Sequence, residues 1–250
     1  MKALITGASS GIGRDIARVL SDRGVDLILV ARRLDRLEEL KAELPTKVRT
    51  IKLDLSEGDA AYELHQSIKD EEIDIVINNA GFGIFGAFDK TDINREMELI
   101  DTNIRAVHIL TKLFLKDFKE RNSGYILNVS SSASFLPGPL LSSYYASKSY
   151  VTRLTEAVYE ELRREQSGVY IGVLCPGPVR TEFDEVADVK FSVKGLSSEY
   201  VAKYAIDKMF KRKLIIIPGI QMKLAKFFGR FCSEKLLLRI SYHMQKRKRN

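Results

Sequence analysis

The sequence holds no tryptophan, three histidines and two cysteines in 250 residues. Two thiols, Cys175 and Cys232, cannot build a disulfide framework, and neither they nor His65, His108 and His243 have metal-ligand spacing. No metal site is therefore expected, and the expected compartment is reducing and cytoplasmic. Proline is scarce as well, at six, and no linker, repeat or low-complexity stretch precedes residue 211 to mark a domain boundary. No apolar run approaches the ~18 residues of a membrane span, and the chain opens directly into a strand pattern, so neither an anchor helix nor a signal peptide is expected. Acid is nearly missing from one region: residues 211–250 carry twelve Lys and Arg against Glu234, whereas the rest of the chain has 28 basic and 32 acidic side chains. The net charge of +7 thus belongs to the C-terminal end. A mildly acidic body with a basic tail argues against a general nucleic-acid binder.

What is present is a regular alternation. Short apolar runs at 2–6, 26–30, 48–53, 74–77, 125–129, 169–174 and 214–217 read as strands. Between them, 3.6-residue patterns at 11–23, 35–44, 59–70, 93–121, 144–165 and 198–211 read as helices. Nearly continuous apolar strands separated by helices indicate an α/β fold: a doubly wound parallel sheet of about seven strands with helices on both faces. One domain over 1–219 is expected, followed by a basic amphipathic extension at 220–250. Right-handed crossovers put the functional loops at the carboxyl ends of the strands.

At that rim the first strand runs into Thr6-Gly7-Ala8-Ser9-Ser10-Gly11-Ile12-Gly13 and then a helix. Glycine lets the backbone turn sharply and approach a pyrophosphate, whose charge is favoured by free N–H groups at a helix start. The second strand ends at Ala31, where NAD-selective folds place an acid for the ribose 2′-hydroxyl. Arg32 and Arg33 follow instead, and arginine suits a 2′-phosphate, so NADP(H) is favoured, with Arg32 the first candidate and Arg33 and Arg14 behind it. The bland alternative is that Arg32, Arg33 and Arg36 merely solvate a helix start. Asp54 could bond an adenine amino group or cap a helix near Ser56. Asn79-Ala80-Gly81 could pass a ribose or make a turn.

Tyr144 and Lys148 lie one helical turn apart and can address one ligand together. A phenol is a poor proton donor or acceptor at neutral pH, and a neighbouring ammonium should draw its pKa down. The same spacing recurs at Tyr204/Lys208 and Tyr242/Lys246, but only Tyr144 has company: Asn128-Val129-Ser130-Ser131-Ser132 upstream, with hydroxyls that could hold a carbonyl oxygen, and Pro176-Gly177-Pro178-Val179-Arg180-Thr181 downstream. Cys175 reads as a small buried strand residue, and Tyr145 as packing.

Over residues 2–217 this ordered set resembles the short-chain dehydrogenase/reductase family in its compact single-domain form, a Rossmann fold. The resemblance implies an NADP(H)-dependent oxidoreductase that moves a hydride between nicotinamide and a carbonyl or alcohol carbon. It implies a tetrad of Asn103, Ser131, Tyr144 and Lys148: Tyr144 exchanges the proton, Ser131 holds the substrate oxygen, Lys148 binds the nicotinamide ribose, and Asn103 anchors a water that relays protons to Lys148. The cofactor residues become Gly7, Ser9, Ser10, Gly11, Ile12, Gly13, Arg32, Arg33, Asp54, Leu55, Asn79, Ala80, Gly81, Tyr144, Lys148, Pro176, Gly177, Val179 and Thr181. Ile12 would back the nicotinamide, Asp54 meet adenine, Asn79 line the cleft and Thr181 bond carboxamide or phosphate. A homo-oligomer is expected, although the extended tail departs from the shortest members. A dinucleotide-sensing interaction protein or a membrane-surface scaffold on the same fold is the alternative, and the intact Tyr144/Lys148 pair speaks against the sensor.

The substrate is less legible. A loop at 182–197 supplies Phe183, Val186, Val189, Phe191 and Leu196 as lid candidates, with Phe135, Leu136 and Leu140 across the cleft; these suggest a lipophilic or acyl carbonyl compound. In the tail, Leu224, Phe227, Phe228 and Phe231 share a helix face, echoed by Leu236, Leu237 and Ile240. Such a stripe can pack on the body or a partner subunit, lie on an anionic membrane, or, with its lysines, meet an acidic acyl carrier.

Overall fold

Because the inner strands are apolar at consecutive positions, they bury side chains on both faces, and the sheet becomes the centre of a three-layer structure. The computed structural model describes residues 1–182, 195–229 and 231–246. Strands β1 (Lys2–Thr6), β2 (Asp26–Ala31), β3 (Val48–Lys52), β4 (Ile75–Asn78), β5 (Gly124–Val129), β6 (Val169–Leu174) and β9 (Ile215–Ile216) form a parallel sheet of order β3-β2-β1-β4-β5-β6-β9. Ile5 stands level with Leu29 on one side and Ile77 on the other. The chain reverses its direction of winding between β1 and β4, and there the carboxyl ends of the strands leave a crevice. A small parallel pair, β7 (Val179–Arg180) with β8 (Leu196–Ser197), lies outside the sheet.

Alternate residues of one strand go to opposite layers. Ala3, Ile5, Leu27, Leu29, Ile75 and Ile77 pack against α1 (Gly11–Ser21), α2 (Leu34–Glu43) and α7 (Ser198–Phe210) through Ile16, Leu20, Leu37, Val201 and Met209. Leu4, Ile28, Val76, Ile126 and Ile171 pack against α3 (Ala60–Ser67), α5 (Val107–Glu120) and the end of α6 (Ser142–Arg164) through Leu64, Leu110, Phe114, Phe118 and Leu162. A buried polar chain crosses the second interface. Asn78 Nδ2 donates to Asn128 Oδ1 at 2.8 Å and to Thr111 Oγ1 at 3.1 Å, and Asn128 Nδ2 donates to Thr155 Oγ1 at 3.0 Å. Hydrogen-bonded buried amides favour one arrangement; here they tie α6, which carries Tyr144 and Lys148, to the ends of β4 and β5.

Two expected elements differ. The helix over 93–121 is divided into α4 (Ile93–Ile100), a π-helical turn (Asp101–Ala106) and α5. A π turn accommodates one residue more than α geometry and recurs at functional sites. The helix expected over 59–70 begins at Ala60, but Asp54 does not cap a helix near Ser56: its Oδ1 accepts Ser56 N–H at 3.0 Å and the Ser56 hydroxyl at 2.8 Å, closing a local turn. Beyond the sheet, α8 (Ile220–Gly229) and α9 (Glu234–Lys246) return over the carboxyl rim: Ser241 donates to Pro137 O at 2.8 Å, and Lys226 Nζ stands 4.5 Å above the Phe135 ring. Among the described residues no helix is long and apolar enough to cross a membrane.

Candidate active site

One cavity of about 840 Å³ runs along the carboxyl rim, from the glycine turn to the tail helices. Its first wall is the β1–α1 turn. Gly7 adopts φ +65°, and a Cβ there would stand 2.8 Å from Ala80 Cα; Gly11 adopts φ +53°, and its Cβ would meet Thr181 Cγ2 at 2.9 Å. Only glycine lets these three loops close on one another. Asn79 braces the turn, donating from Nδ2 to Thr6 O at 3.0 Å and Gly7 O at 3.1 Å. α1 starts with no side-chain cap on its amides and no acid in its first turn, the condition a phosphate requires. The bare amides, the glycine cradle and the length of the cavity together fit a dinucleotide. Every expected cofactor residue lines the cavity except Arg14, which stands 3.6 Å from Asp15, and Gly13, whose hydrogen-only side faces Asn79 Nδ2 and Gly7 O, each 2.4 Å from a Cβ. Its role is close packing of helix on strand.

At the far end of that wall the two arginines divide differently from expectation. Arg32 is more than half exposed and touches Asp54 at 3.5 Å. Arg33 is the more enclosed, donating to Ser10 Oγ at 3.1 Å and Ser9 Oγ at 3.2 Å, and to Glu182 at 2.8 Å. Glu182 also binds Arg36. Sequence reasoning makes residue 182 only the start of a lid and misses it as an anion between two guanidiniums; its separation of 146 residues from Arg36 leaves no local signal. Phe183, Val186, Val189 and Phe191 lie outside the described residues.

The opposite wall gathers Ser131, Tyr144 and Lys148. Ser131 caps a 3₁₀ turn (Ser132–Phe135), its Oγ accepting Ala133 N–H at 3.1 Å. It shares a hydrogen bond with the Tyr144 hydroxyl. Ser130 and Ser132 border the same cavity, but the Ser130 hydroxyl is spent elsewhere, donating to Lys148 O at 2.8 Å from a buried position, which leaves the second serine to pair with Tyr144. Lys148 Nζ donates to Val129 O at 3.0 Å and stands 5.8 Å from the Tyr144 ring centre.

Burial governs both titrations. It pushes the Tyr144 phenol up to about 12, against the lowering effect of Ser131, and pushes the Lys148 ammonium down to about 8. The expectation that Lys148 draws Tyr144 below its usual range is corrected: withdrawing a phenolate from water costs more than an ammonium at this distance, itself bonded to a carbonyl, returns. Tyr144 is therefore a protonated phenol, a donor. Asn103 lies behind this wall. It is fully buried in the π turn and does not line the cavity; its amide accepts Phe82 N–H at 3.1 Å and donates to Phe82 O at 2.9 Å and Ser147 Oγ at 3.1 Å. It clamps the Gly81–Phe82 loop beside Lys148, and a Cβ on Gly81 would intrude 2.9 Å from Asn103 Oδ1 and 3.1 Å from Lys148 Nζ.

The remaining end is apolar: Phe135, Leu136, Leu141, Met222, Phe228 and Ile240 line it. Leu140 does not; it takes φ +66° in a turn, and Leu141 points inward instead. Tyr145, expected to be packing alone, also lines the cavity and accepts a hydrogen bond from Gln245 Nε2 of α9. Cys175 is a buried strand-end residue as expected, its thiol pushed up to about 11 by burial.

Comparison with known proteins agrees with this arrangement. Residues 1–190 match the profile of the short chain dehydrogenase family. The chain is 32% identical over 216 residues to hydroxysteroid dehydrogenase-like protein 1 of Gallus gallus, covering 83% of this chain and 65% of that one. It is 31% identical over 192 residues to the very-long-chain 3-oxoacyl-CoA reductase of Homo sapiens, covering 74% and 61% respectively. It thus spans less than two thirds of the length of these relatives. A short-chain dehydrogenase from Sphingobium yanoikuyae solved in complex with NADPH superposes with a TM-score of 0.83 at 30% identity, covering 92% of each chain. The glycine turn, the tyrosine–lysine pair and the profile match over most of the chain lead to one assignment: this protein belongs to the short-chain dehydrogenase/reductase family of oxidoreductases.

Proposed function

We propose that this chain is an NADP(H)-dependent oxidoreductase that interconverts a carbonyl and an alcohol on a lipophilic or acyl substrate. The observation that carries the reading is the single cavity that holds Ser131, Tyr144 and Lys148 on one wall and the glycine turn with Arg33, Ser9 and Ser10 on the other. When bound, the dinucleotide supplies or takes up the hydride. For reduction, Ser131 and Tyr144 hold the substrate oxygen, and Tyr144 transfers its proton as charge develops there. Burial, by keeping the phenol protonated, suits it to that direction. Lys148, fixed by Val129 O, would hold a ribose hydroxyl of the bound dinucleotide and place a positive charge beside Tyr144. Arg33, with Ser9 and Ser10, would receive a 2′-phosphate, with Arg32 beside them; the fold serves NAD(H) and NADP(H) alike, and these two arginines after β2 support NADP(H). The apolar end between Leu136, Leu141 and Ile240 supports the substrate class, as do the names of the acyl-CoA and hydroxysteroid relatives.

The test is Tyr144→Phe with NADPH fluorescence and a panel of ketones, 3-oxoacyl thioesters and sterols. NADPH should bind as in wild type while turnover falls by ~10³-fold or more; turnover within ~10-fold of wild type removes Tyr144 from the chemistry.

A further inference from the structure

α8 and α9 expose the side that a helix packed on a body ordinarily hides. In α9 the buried side chains are Ser241 and Gln245, whereas Leu236, Ile240 and Met244, one face at four-residue spacing, are 48%, 45% and 55% exposed. α8 buries no side chain fully. The stripe that could have packed on the body faces outward, with Leu224 48%, Phe227 54% and Phe231 74% exposed. Phe227 lies edge-on to Phe228 and Phe231 with centroids 5.4 and 5.5 Å apart, so these rings hold one another. An apolar cluster of this size on a folded surface marks a contact site.

The charges on the same two helices select the occupant. Lys223, Lys235, Arg239 and Lys246 are exposed among these residues, with Glu234 the acid between them. A second copy joined by a two-fold axis would set these cations against themselves. An anionic bilayer surface satisfies both features, taking the aromatic and aliphatic side chains below its headgroups and the cations among its phosphates. Phe228, Ile240 and Met244 are exposed on this patch and also line the cavity, so the apolar mouth of the site opens within it.

We propose that α8 and α9 seat the protein on an anionic membrane leaflet, with the mouth of the substrate cavity facing the lipid, so that a carbonyl carried on a hydrocarbon body enters from the bilayer. The entry route rests on the functional reading above; the docking does not.

The full chain is mixed with vesicles of phosphatidylcholine alone or with roughly a third phosphatidylglycerol and sedimented. Binding to the anionic vesicles should be at least ~10-fold tighter and should weaken with added salt. The pairs Phe227→Ser/Phe231→Ser and Lys235→Glu/Arg239→Glu should each lose most of it, while melting temperature and NADPH-linked turnover of a water-soluble ketone stay at wild-type levels. Equal binding to both vesicle types, or unchanged binding by the phenylalanine pair, overturns the docking. So does a dimer that Phe227→Ser/Phe231→Ser dissociates in a protein that ignores vesicles, because a second copy then covers the patch. A chain that binds vesicles but reduces no carbonyl sinks the functional reading and leaves the docking intact.

Discussion

Replacing Asn103 by leucine separates a clamp from a proton relay. The side chains are similar in size, and the substitution removes three hydrogen bonds, to Phe82 N, Phe82 O and Ser147 Oγ. Both backbone groups of Phe82 lie in a buried loop and would be left without these partners, at a cost of about 1–3 kcal/mol each. Leucine recovers about 1 kcal/mol through its added apolar contact, so a net loss of about 1–5 kcal/mol is expected. In a chain of this length that lowers the melting temperature by about 2–20 °C. The freed Gly81–Phe82 loop borders Lys148, so kcat should also fall by at least ~10-fold. Calorimetry and NADPH oxidation on one preparation read both. A melting temperature within about 2 °C of wild type refutes the clamp, and a lowered kcat in that same protein would return Asn103 to the proton path.

Glu182→Gln should free Arg33 and Arg36 for a 2′-phosphate and tighten NADPH by about three- to tenfold, the scale of a partly exposed ion pair, with NADH unchanged within about twofold; equal effects on both cofactors, read by fluorescence titration, exclude a 2′-phosphate contact. For carbonyl reduction, kcat/KM should be level at neutral pH and decline as pH rises through about 8, where Lys148 loses its proton, while Tyr144 at about 12 stays protonated; a profile level to pH ~10 removes Lys148 from the charge requirement. The same lysine costs stability. Its folded pKa of about 8 lies below the unfolded value, so between the two the unfolded chain holds more protons and stability rises with pH. Lys148→Met lacks that term, and the gain in melting temperature from pH ~7 to ~9.5 should be larger in wild type by several degrees; equal gains would mean the ammonium is not buried.

The parts of this molecule written within a few neighbouring residues are legible from the sequence. The sheet comes from apolar runs such as Leu27–Val30, the glycine turn from Gly7, Gly11 and Gly13, and the Tyr144–Lys148 pair from one helical turn. What is not legible involves distance or competition. Gln245 meets Tyr145 across 100 residues, and Glu182 meets Arg36 across 146; no local pattern encodes either. Arg32 and Arg33 are alike in sequence, and only the position of Ser9 and Ser10 makes Arg33 the enclosed one. The Tyr144–Lys148 spacing carries the geometry but not the balance between burial and charge, which decides the direction of both pKa values. The apolar stripe of α8 is visible, yet spacing alone does not say which way it faces.

The extra residue held between α4 and α5 sets a phase relation that neither helix could keep alone. Each residue added to a regular helix turns the remainder of the rod by about 100°. Upstream of the π turn Leu99 is buried, within it Asn103 reaches Phe82, and beyond it Leu110, Phe114 and Phe118 face the sheet. Deleting one residue from Asp101–Ala106 would restore a uniform spiral and rotate the two halves out of step, so the rod could serve the loop or the core but not both. Evolution of this segment is thereby confined to substitution: a one-residue gap would be felt in the rim loop and in the core at once.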